Sequence, residues 1–265
     1  MLQYKNEDSM KKKEQPMNEL QIGFKYFPFK TIALHAHSCE NSATNIKIIQ
    51  LSDLHLHPKV SLEYLLSLVE QINAKEPDLV LFTGDIIECK AVKVKQQLEI
   101  FQHIKASAYY VTGNHDIFYG QETLQEILEH NGITCLDNKL IRLQVQNQWL
   151  QLVGVSDRYS FLRGKRRPIE TLFATIDKNL FTILLAHQPK DIEHIKDARV
   201  DVQLSGHTHG GQIFPFTYLV KMFQPYFSGL YTKNRTLLYV TNGLGYWGVG
   251  LRYKANSEIP VFTLH

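Results

Sequence analysis

Long apolar runs are missing from this 265-residue chain. None approaches the roughly 18 consecutive apolar residues that a membrane-spanning helix needs, and the N-terminus lacks the apolar core of a signal peptide. A soluble or peripherally attached protein is therefore expected, cytoplasmic or on the inner face of the membrane. Cysteine is scarce: Cys39, Cys89 and Cys135 are odd in number and widely spaced, with no Cys-x-x-Cys pair. That argues against a disulfide framework or a thiolate zinc site and fits a reducing compartment. Charge is close to balanced, with a net +3 and a pI near 8.6, too little to signal nucleic-acid binding without a focused patch. The glycine-rich run GLGYWGVG at 243–250 is not followed by a helical apolar period. It is read as a loop lying against the site and not as a dinucleotide fingerprint.

The 44% of hydrophobic residues is ordinary for a globular chain that buries its own core. Residues 1–20 are polar, with Lys11, Lys12 and Lys13 in a row, and read as a flexible tail; residues 21–265 are expected to form one domain. Segment 21–37 can add an edge strand, because Pro28 is tolerated only at an edge, and His35 and His37 there read as surface histidines. From residue 45 the pattern becomes regular. Asn45–Ser52 is a β-branched strand that delivers Asp53 and His55. An amphipathic helix over 62–72, with Ser61 as N-cap, leads to the apolar strand 78–83, which delivers Gly84 and Asp85. A helix near 92–105 and strand 108–112 deliver Gly113, Asn114, His115 and Asp116. This alternation is that of right-handed βαβ crossovers and a mainly parallel sheet.

Helix 121–131, closed by Gly132, precedes strands near 133–136, 139–145 and 148–155, with Gln146 and Asn147 as a hairpin turn. The loop 157–168 gathers Arg158, Arg163, Lys165, Arg166 and Arg167. It is read first as a solvated charge run and second as an anion site. Strand 180–186 ends in His187, and after a short helix near 190–198 strand 201–205 runs into Gly206, His207, Thr208 and His209. Further strands are expected at 236–241 and 258–264. Two imidazoles one residue apart on extended backbone point in parallel. A bend at Thr208 or two neighbouring metals would let both be used.

Asp53, His55, Asp85, Asn114, His115, His187, His207 and His209 are all oxygen or imidazole donors at strand ends, too many for one metal. Two ions about 3.5–4 Å apart, bridged by a carboxylate such as Asp85, can deprotonate a shared water and clamp phosphoryl oxygens on both sides of an in-line displacement. The chemistry indicated is phosphoester hydrolysis.

In order and spacing, Asp53-Leu-His55, Gly84-Asp85, Gly113-Asn114-His115-Asp116, His187 and Gly206-His207-Thr208-His209 resemble the calcineurin-like metallophosphoesterase superfamily. Within it, LSDLH, LFTGD, GNHD, LAHQP and LSGHTHGGQ look like a bacterial phosphodiesterase branch that includes membrane-surface enzymes and UDP-diacylglucosamine pyrophosphatases. The resemblance covers roughly residues 45–265. It implies an α/β fold of four layers, αββα, with two packed mixed sheets flanked by helices. One metal would be held by Asp53, His55, Asp85 and His209, and the second by Asp85, Asn114, His187 and His207. His115 would stabilise the transition state or protonate the leaving oxygen, and Asp116 would orient His115. Manganese is favoured among manganese, iron and zinc.

The expected reaction is hydrolysis of a phosphodiester or pyrophosphate by a metal-bridging hydroxide, on a lipid-linked substrate such as UDP-diacylglucosamine. The alternatives are a soluble phosphodiesterase or nuclease, or a non-catalytic scaffold of the same fold. The aromatic stretch 213–231, with Phe214, Phe216, Tyr218, Phe223, Tyr226, Phe227, Tyr231 and Lys221, reads either as core packing or as an apolar lip facing lipid.

Overall fold

A computed structural model describes residues 27–34, 45–195, 200–213, 222, 224–248, 251–253 and 255–264. The tail 1–20, His35, His37 and the aromatics Phe214, Phe216, Tyr218 and Phe223 lie outside the described residues. Among the described residues, twelve strands form two six-stranded sheets. The first contains β1 (Phe29–Leu34), β2 (Ile46–Leu51), β3 (Leu79–Thr83), β4 (Ser107–Val111), β5 (Ile133–Cys135) and β12 (Ile259–Leu264), in the order β1-β12-β2-β3-β4-β5. It is parallel except where β12 runs against β2. The second contains β6 (Lys139–Val145), β7 (Gln148–Val155), β8 (Phe181–Ala186), β9 (Val202–Ser205), β10 (Gly229–Lys233) and β11 (Thr236–Val240), in the order β10-β11-β9-β8-β7-β6. Its four central strands are parallel, and each edge strand is antiparallel to its neighbour.

Period-2 side-chain alternation explains why both faces of the central strands are apolar. Ile46, Ile48, Leu79 and Leu81 meet Leu150, Leu152, Ile183, Leu185, Val202 and Leu204 between the sheets. Their sequence neighbours Ile49, Leu51, Val80 and Phe82 face outward onto helices α1 (Leu62–Asn73), α2 (Lys95–Glu99) and α4 (Gln121–His130). On the other side Leu184, Ala186, Leu238 and Val240 are covered by α5 (Ile169–Ala174) and the 3-10 turn Pro189–His194. The result is the expected helix–sheet–sheet–helix layering, with apolar clusters between the sheets and under each helical layer.

Local signals set the boundaries of these elements. Ser61 caps α1 by accepting from the Tyr64 amide. Gln146 turns the β6–β7 hairpin with φ +53, and β1 is an edge strand of the first sheet. Three expectations need correction. The segment near 92–105 is α2 between 3-10 turns at Ala91–Val94 and Ile100–His103. The helix expected near 190–198 is the 3-10 turn at Pro189–His194. The Asn114-His115-Asp116 loop is the first turn of a short helix, α3 (Asn114–Tyr119).

Candidate metal centre

Five strands of the two sheets end at one place. Asp53 and His55 follow β2, Asp85 follows β3, Asn114 follows β4, His187 follows β8, and His207 and His209 follow β9. Backbone hydrogen bonds sew these ends together: the Asp53 amide donates to Gly84, His55 to Asp85, and Gly206 to His187. The buried Gln50 amide group crosses between the sheets, donating to Thr83 Oγ1 and the Ser205 carbonyl. Glycines make the room. A Cβ on Gly206 would lie 2.1 Å from both Asp53 Oδ2 and Ser52 Oγ, and one on Gly113 would lie 2.1 Å from Asp85 Oδ1. Asp53, His55, Asp85, His207 and His209 all sit at positive φ, between +45 and +73, a conformation that turns each side chain off its strand direction.

The donors fall into three overlapping groups: Asp53, His55 and His209; His55, Asp85 and His115; and Asp85, His187 and His207. His209 Nε2 lies 3.3 Å from Asp53 Oδ1 and 3.0 Å from His55 Nε2. His187 Nε2 lies 3.2 Å from both Asp85 Oδ2 and Asn114 Oδ1. Asp85 Oδ2 is also 3.7 Å from His55 Nε2, so one carboxylate faces both halves of the cluster. The His-x-His pair splits, His207 joining the Asp85 group and His209 the Asp53 group, with both residues bent into left-handed backbone.

The chemistry of this donor set fits cations. His187 Nδ1 donates to the Thr83 carbonyl at 2.8 Å, which leaves Nε2 toward Asp85 and Asn114. Burial opposes charge on His187, yet the Asp85, Asp53 and Asp157 carboxylates hold it well above the usual imidazole value. The pocket therefore calls for positive charge at Nε2, supplied by a proton or by a metal ion. Burial opposes ionisation of Asp85 too, but the His187 and His55 partners draw its carboxyl well below the ordinary range. Burial, and then the positive neighbours, hold His207 down at about 3 and His209 well below its usual value. Both rings are thus the neutral imidazoles that metals bind. His209 differs from the others in one respect. The Arg252 guanidinium lies 3.1 Å from its Nδ1 and can only donate, so the ring proton sits on Nε2 and must leave when an ion binds there.

His115 sits beside this cluster, its backbone amide donating to Asp85 Oδ1 and its ring edge-on to His55. The group at its Nδ1 is Glu88, whose Oε2 lies 2.8 Å from His115 Nδ1 and 2.5 Å from His55 Nδ1. Burial would raise Glu88, but its contacts with His115 and His55 hold it at about 2. Burial would lower His115, but Glu88 and Asp85 raise it. Asp116, expected to orient His115, is placed elsewhere. Its carboxylate accepts from the amides of Ile86, Ile87 and Gly113 and from the Tyr110 hydroxyl, tying the Asp85 loop to the start of α3.

Glu88 and Arg252 were not singled out in the sequence. Glu88 falls three residues beyond Asp85 with no periodic or motif signal of its own, and Arg252 reaches the site from the far end of the chain. The loop at 243–248 does lie against the site: the Gly245 amide donates to the Asp53 carbonyl and the Leu244 amide to Ser52. The charges of the 157–168 loop are largely spent on structure. Arg163 donates to the Ile117 and Phe118 carbonyls, Arg167 and Arg158 flank the buried Asp191, and Lys165 pairs with Glu122.

Residues 46–211 match the family model described as calcineurin-like phosphoesterase. The chain belongs to this family. Its members are metal-dependent phosphoester hydrolases that work with two ions, and this member carries candidate ligand clusters for them. It is 40% identical over 224 residues to an uncharacterized metallophosphoesterase of Helicobacter pylori, covering 83% of this chain and 60% of that one. It is 35% identical over 229 residues to the metallophosphoesterase YkuE of Bacillus subtilis, covering 82% and 78%. A zebrafish protein named a transmembrane protein with metallophosphoesterase domain is 34% identical over 235 residues, covering 84% of this chain and 54% of that protein. The chain thus spans somewhat over half the length of several relatives that it matches. In fold it is similar to the NAD nucleotidase of Haemophilus influenzae, with a TM-score of 0.54 at 17% identity over 76% of this chain and 45% of that one. No helix among the described residues is long and apolar enough to cross a membrane.

Proposed function

We propose that this phosphoesterase hydrolyses a phosphodiester or pyrophosphate bond, with one divalent ion held by Asp53, His55, Asp85 and His209 and a second by Asp85, Asn114, His187 and His207. The observation that carries this is the position of Asp85, whose Oδ2 faces His187 on one side and His55 on the other. Ions bound there, manganese for preference among manganese, iron and zinc, would supply Lewis-acid charge and an activated water. His115 gives a proton to the leaving oxygen. With Nδ1 facing the Glu88 carboxylate at 2.8 Å, Nε2 is the ring nitrogen left for substrate, and Glu88 and Asp85 raise the affinity of His115 for its proton, which favours the acid form. Glu88 orients His115 and His55 together through a single oxygen. The backbone amide of His115 fixes the Asp85 carboxylate, and Ser52 Oγ, donating to Asp53 Oδ2 at 2.6 Å, fixes Asp53.

The substrate class that we favour is lipid-linked, a phosphodiester or pyrophosphate such as UDP-diacylglucosamine, met by a protein held peripherally at the cytoplasmic face of a membrane. Support comes from the name of the zebrafish relative, which joins this type of domain to a transmembrane protein. The aromatic stretch contributes less: Tyr226 and Tyr231 pack against the apolar cluster outside the second sheet. A nuclease is disfavoured because the basic loop, with four of its five cations tied to carbonyls or carboxylates, offers no stripe for a polyanion.

The test is metal analysis of the purified protein beside a panel assay with added manganese. The panel compares bis-p-nitrophenyl phosphate, a lipid-linked pyrophosphate and its water-soluble headgroup analogue. Two bound ions and faster turnover of the lipid-linked substrate are expected. Bound metal without turnover of any phosphoester would make the protein a scaffold, and equal rates on the last two would remove the lipid.

A further inference from the structure

Beside His115 the surface carries an apolar ridge that the metal centre does not use. It is built by two elements. Helix α3 places His115 in its first turn and Phe118 three residues on, with their ring centroids 6.0 Å apart. The 3-10 helix Arg158–Arg163 is pinned against α3 by Arg163, which donates to the Ile117 and Phe118 carbonyls. Tyr159 meets Phe118 edge-on at 5.4 Å and stacks on Phe161 at 6.1 Å. Leu162 shares the Tyr159 face, because residues three apart eclipse in a 3-10 helix.

All four apolar side chains are open to solvent: Phe118 at 46%, Tyr159 at 39%, Phe161 at 65% and Leu162 at 54%. Single exposed apolar residues are ordinary, whereas a contiguous run edged by polar groups marks an interaction site. The edge here is cationic. Arg166 is exposed and has no hydrogen bond or ion pair among the described residues, while Arg158 and Lys165 on the same loop keep exposed ends although they pair with Asp191 and Glu122.

We propose that this ridge, Phe118, Tyr159, Phe161 and Leu162 with Arg166 at its edge, is the surface by which the protein settles on an anionic lipid bilayer with His115 turned toward the membrane. Aromatic and aliphatic tips flanked by arginine and lysine suit the boundary between headgroups and acyl chains. A second copy of the chain fits less well, since a two-fold interface on this ridge would bring the cationic loops of both copies together. The direction of the surface builds on the lipid-linked reading of the substrate, but binding does not depend on turnover. It is therefore measured on the metal-loaded protein without substrate, so that a protein inactive on every phosphoester can still pass and an active one can still fail.

The experiment is co-sedimentation of the 265-residue chain with vesicles of equal parts phosphatidylglycerol and phosphatidylcholine, against pure phosphatidylcholine. Wild type is expected to sediment with the anionic vesicles and to be released by added salt. Phe161→Ser combined with Leu162→Ser should lower the partition at least about tenfold, and Arg166→Glu should weaken it and flatten its salt dependence. Trp149→Ser, an exposed apolar residue on β7 of the second sheet, should sediment like wild type. Phe161→Trp supplies a second measurement in an intact ridge: its added emission should shift to the blue and be shielded from iodide when anionic vesicles are present. The proposal is overturned by equal sedimentation of wild type and the double variant, by indifference to lipid charge, or by an emission that vesicles leave unchanged. A dimer that the double variant abolishes would likewise overturn it in favour of self-association.

Discussion

Replacing Glu88 with Gln keeps the shape of the side chain and removes its charge, which isolates what that charge does. One oxygen, Oε2, lies 2.5 Å from His55 Nδ1 and 2.8 Å from His115 Nδ1. A charge-assisted hydrogen bond is worth roughly 1.5–3 kcal/mol. The amide weakens the hydrogen bond to His55 and removes the charge that faces His115, so kcat should fall about 10- to 100-fold at saturating manganese. The sign of the pH effect follows from the shifts. Glu88, held at about 2, is ionised across any usable assay range, and it helps to raise His115 above its ordinary value. A general acid works only while protonated, so the rate is lost as pH rises through the His115 pKa, and without the Glu88 charge that loss begins at lower pH. The assay is kcat against pH on bis-p-nitrophenyl phosphate, with bound metal measured in parallel. A variant with wild-type kcat and an alkaline limb in the same place would refute the pairing of Glu88 with His115.

Asp85→Asn should abolish turnover and lower bound metal, measured by elemental analysis, because the shared carboxylate faces both halves of the cluster; full turnover with two ions would remove it from the bridging position. Gly206→Ala should cost metal binding and activity together, since its Cβ would press on Asp53 Oδ2 and Ser52 Oγ at 2.1 Å; wild-type metal content would show that the loop yields. Asp116→Ala should lower stability by roughly 3 kcal/mol or more, read by urea unfolding, because three amides and the Tyr110 hydroxyl lose their acceptor. A normal unfolding midpoint with a selective loss of kcat would return Asp116 to the reaction.

The strands were legible because their apolar residues alternate between two buried surfaces, and the candidate ligands were legible because each stands just past such a strand. Glu88 escaped because its partners are fixed by a loop closing in space: it belongs to no periodic pattern, and a glutamate at that spacing is commonly solvated. Helix α3 escaped because Gly113-Asn114-His115-Asp116 has the composition of a turn. The bond that Asp116 accepts from the Gly113 amide at the head of α3, and the burial of Ile117, hold those residues helical. The basic loop reads by composition first as a solvated charge run and second as an anion site, but composition cannot tell a free arginine from one, like Arg163, that ties two segments together.

The left-handed backbone at Asp53, His55, Asp85, His207 and His209 has a consequence for how the protein responds to its surroundings. Asp and His enter that region more readily than most non-glycine residues, yet each still costs up to about 1 kcal/mol, so five of them gather backbone tension around the centre. Ligands that bind only the folded form shift the folding equilibrium by mass action, and here that shift acts on the segment under greatest tension. Melting temperature should therefore follow the concentration of free divalent cation, and the loops carrying these five residues should be the first to exchange their amide hydrogens when a chelator is added. Metal supply would then govern the lifetime of the folded chain as well as its chemistry.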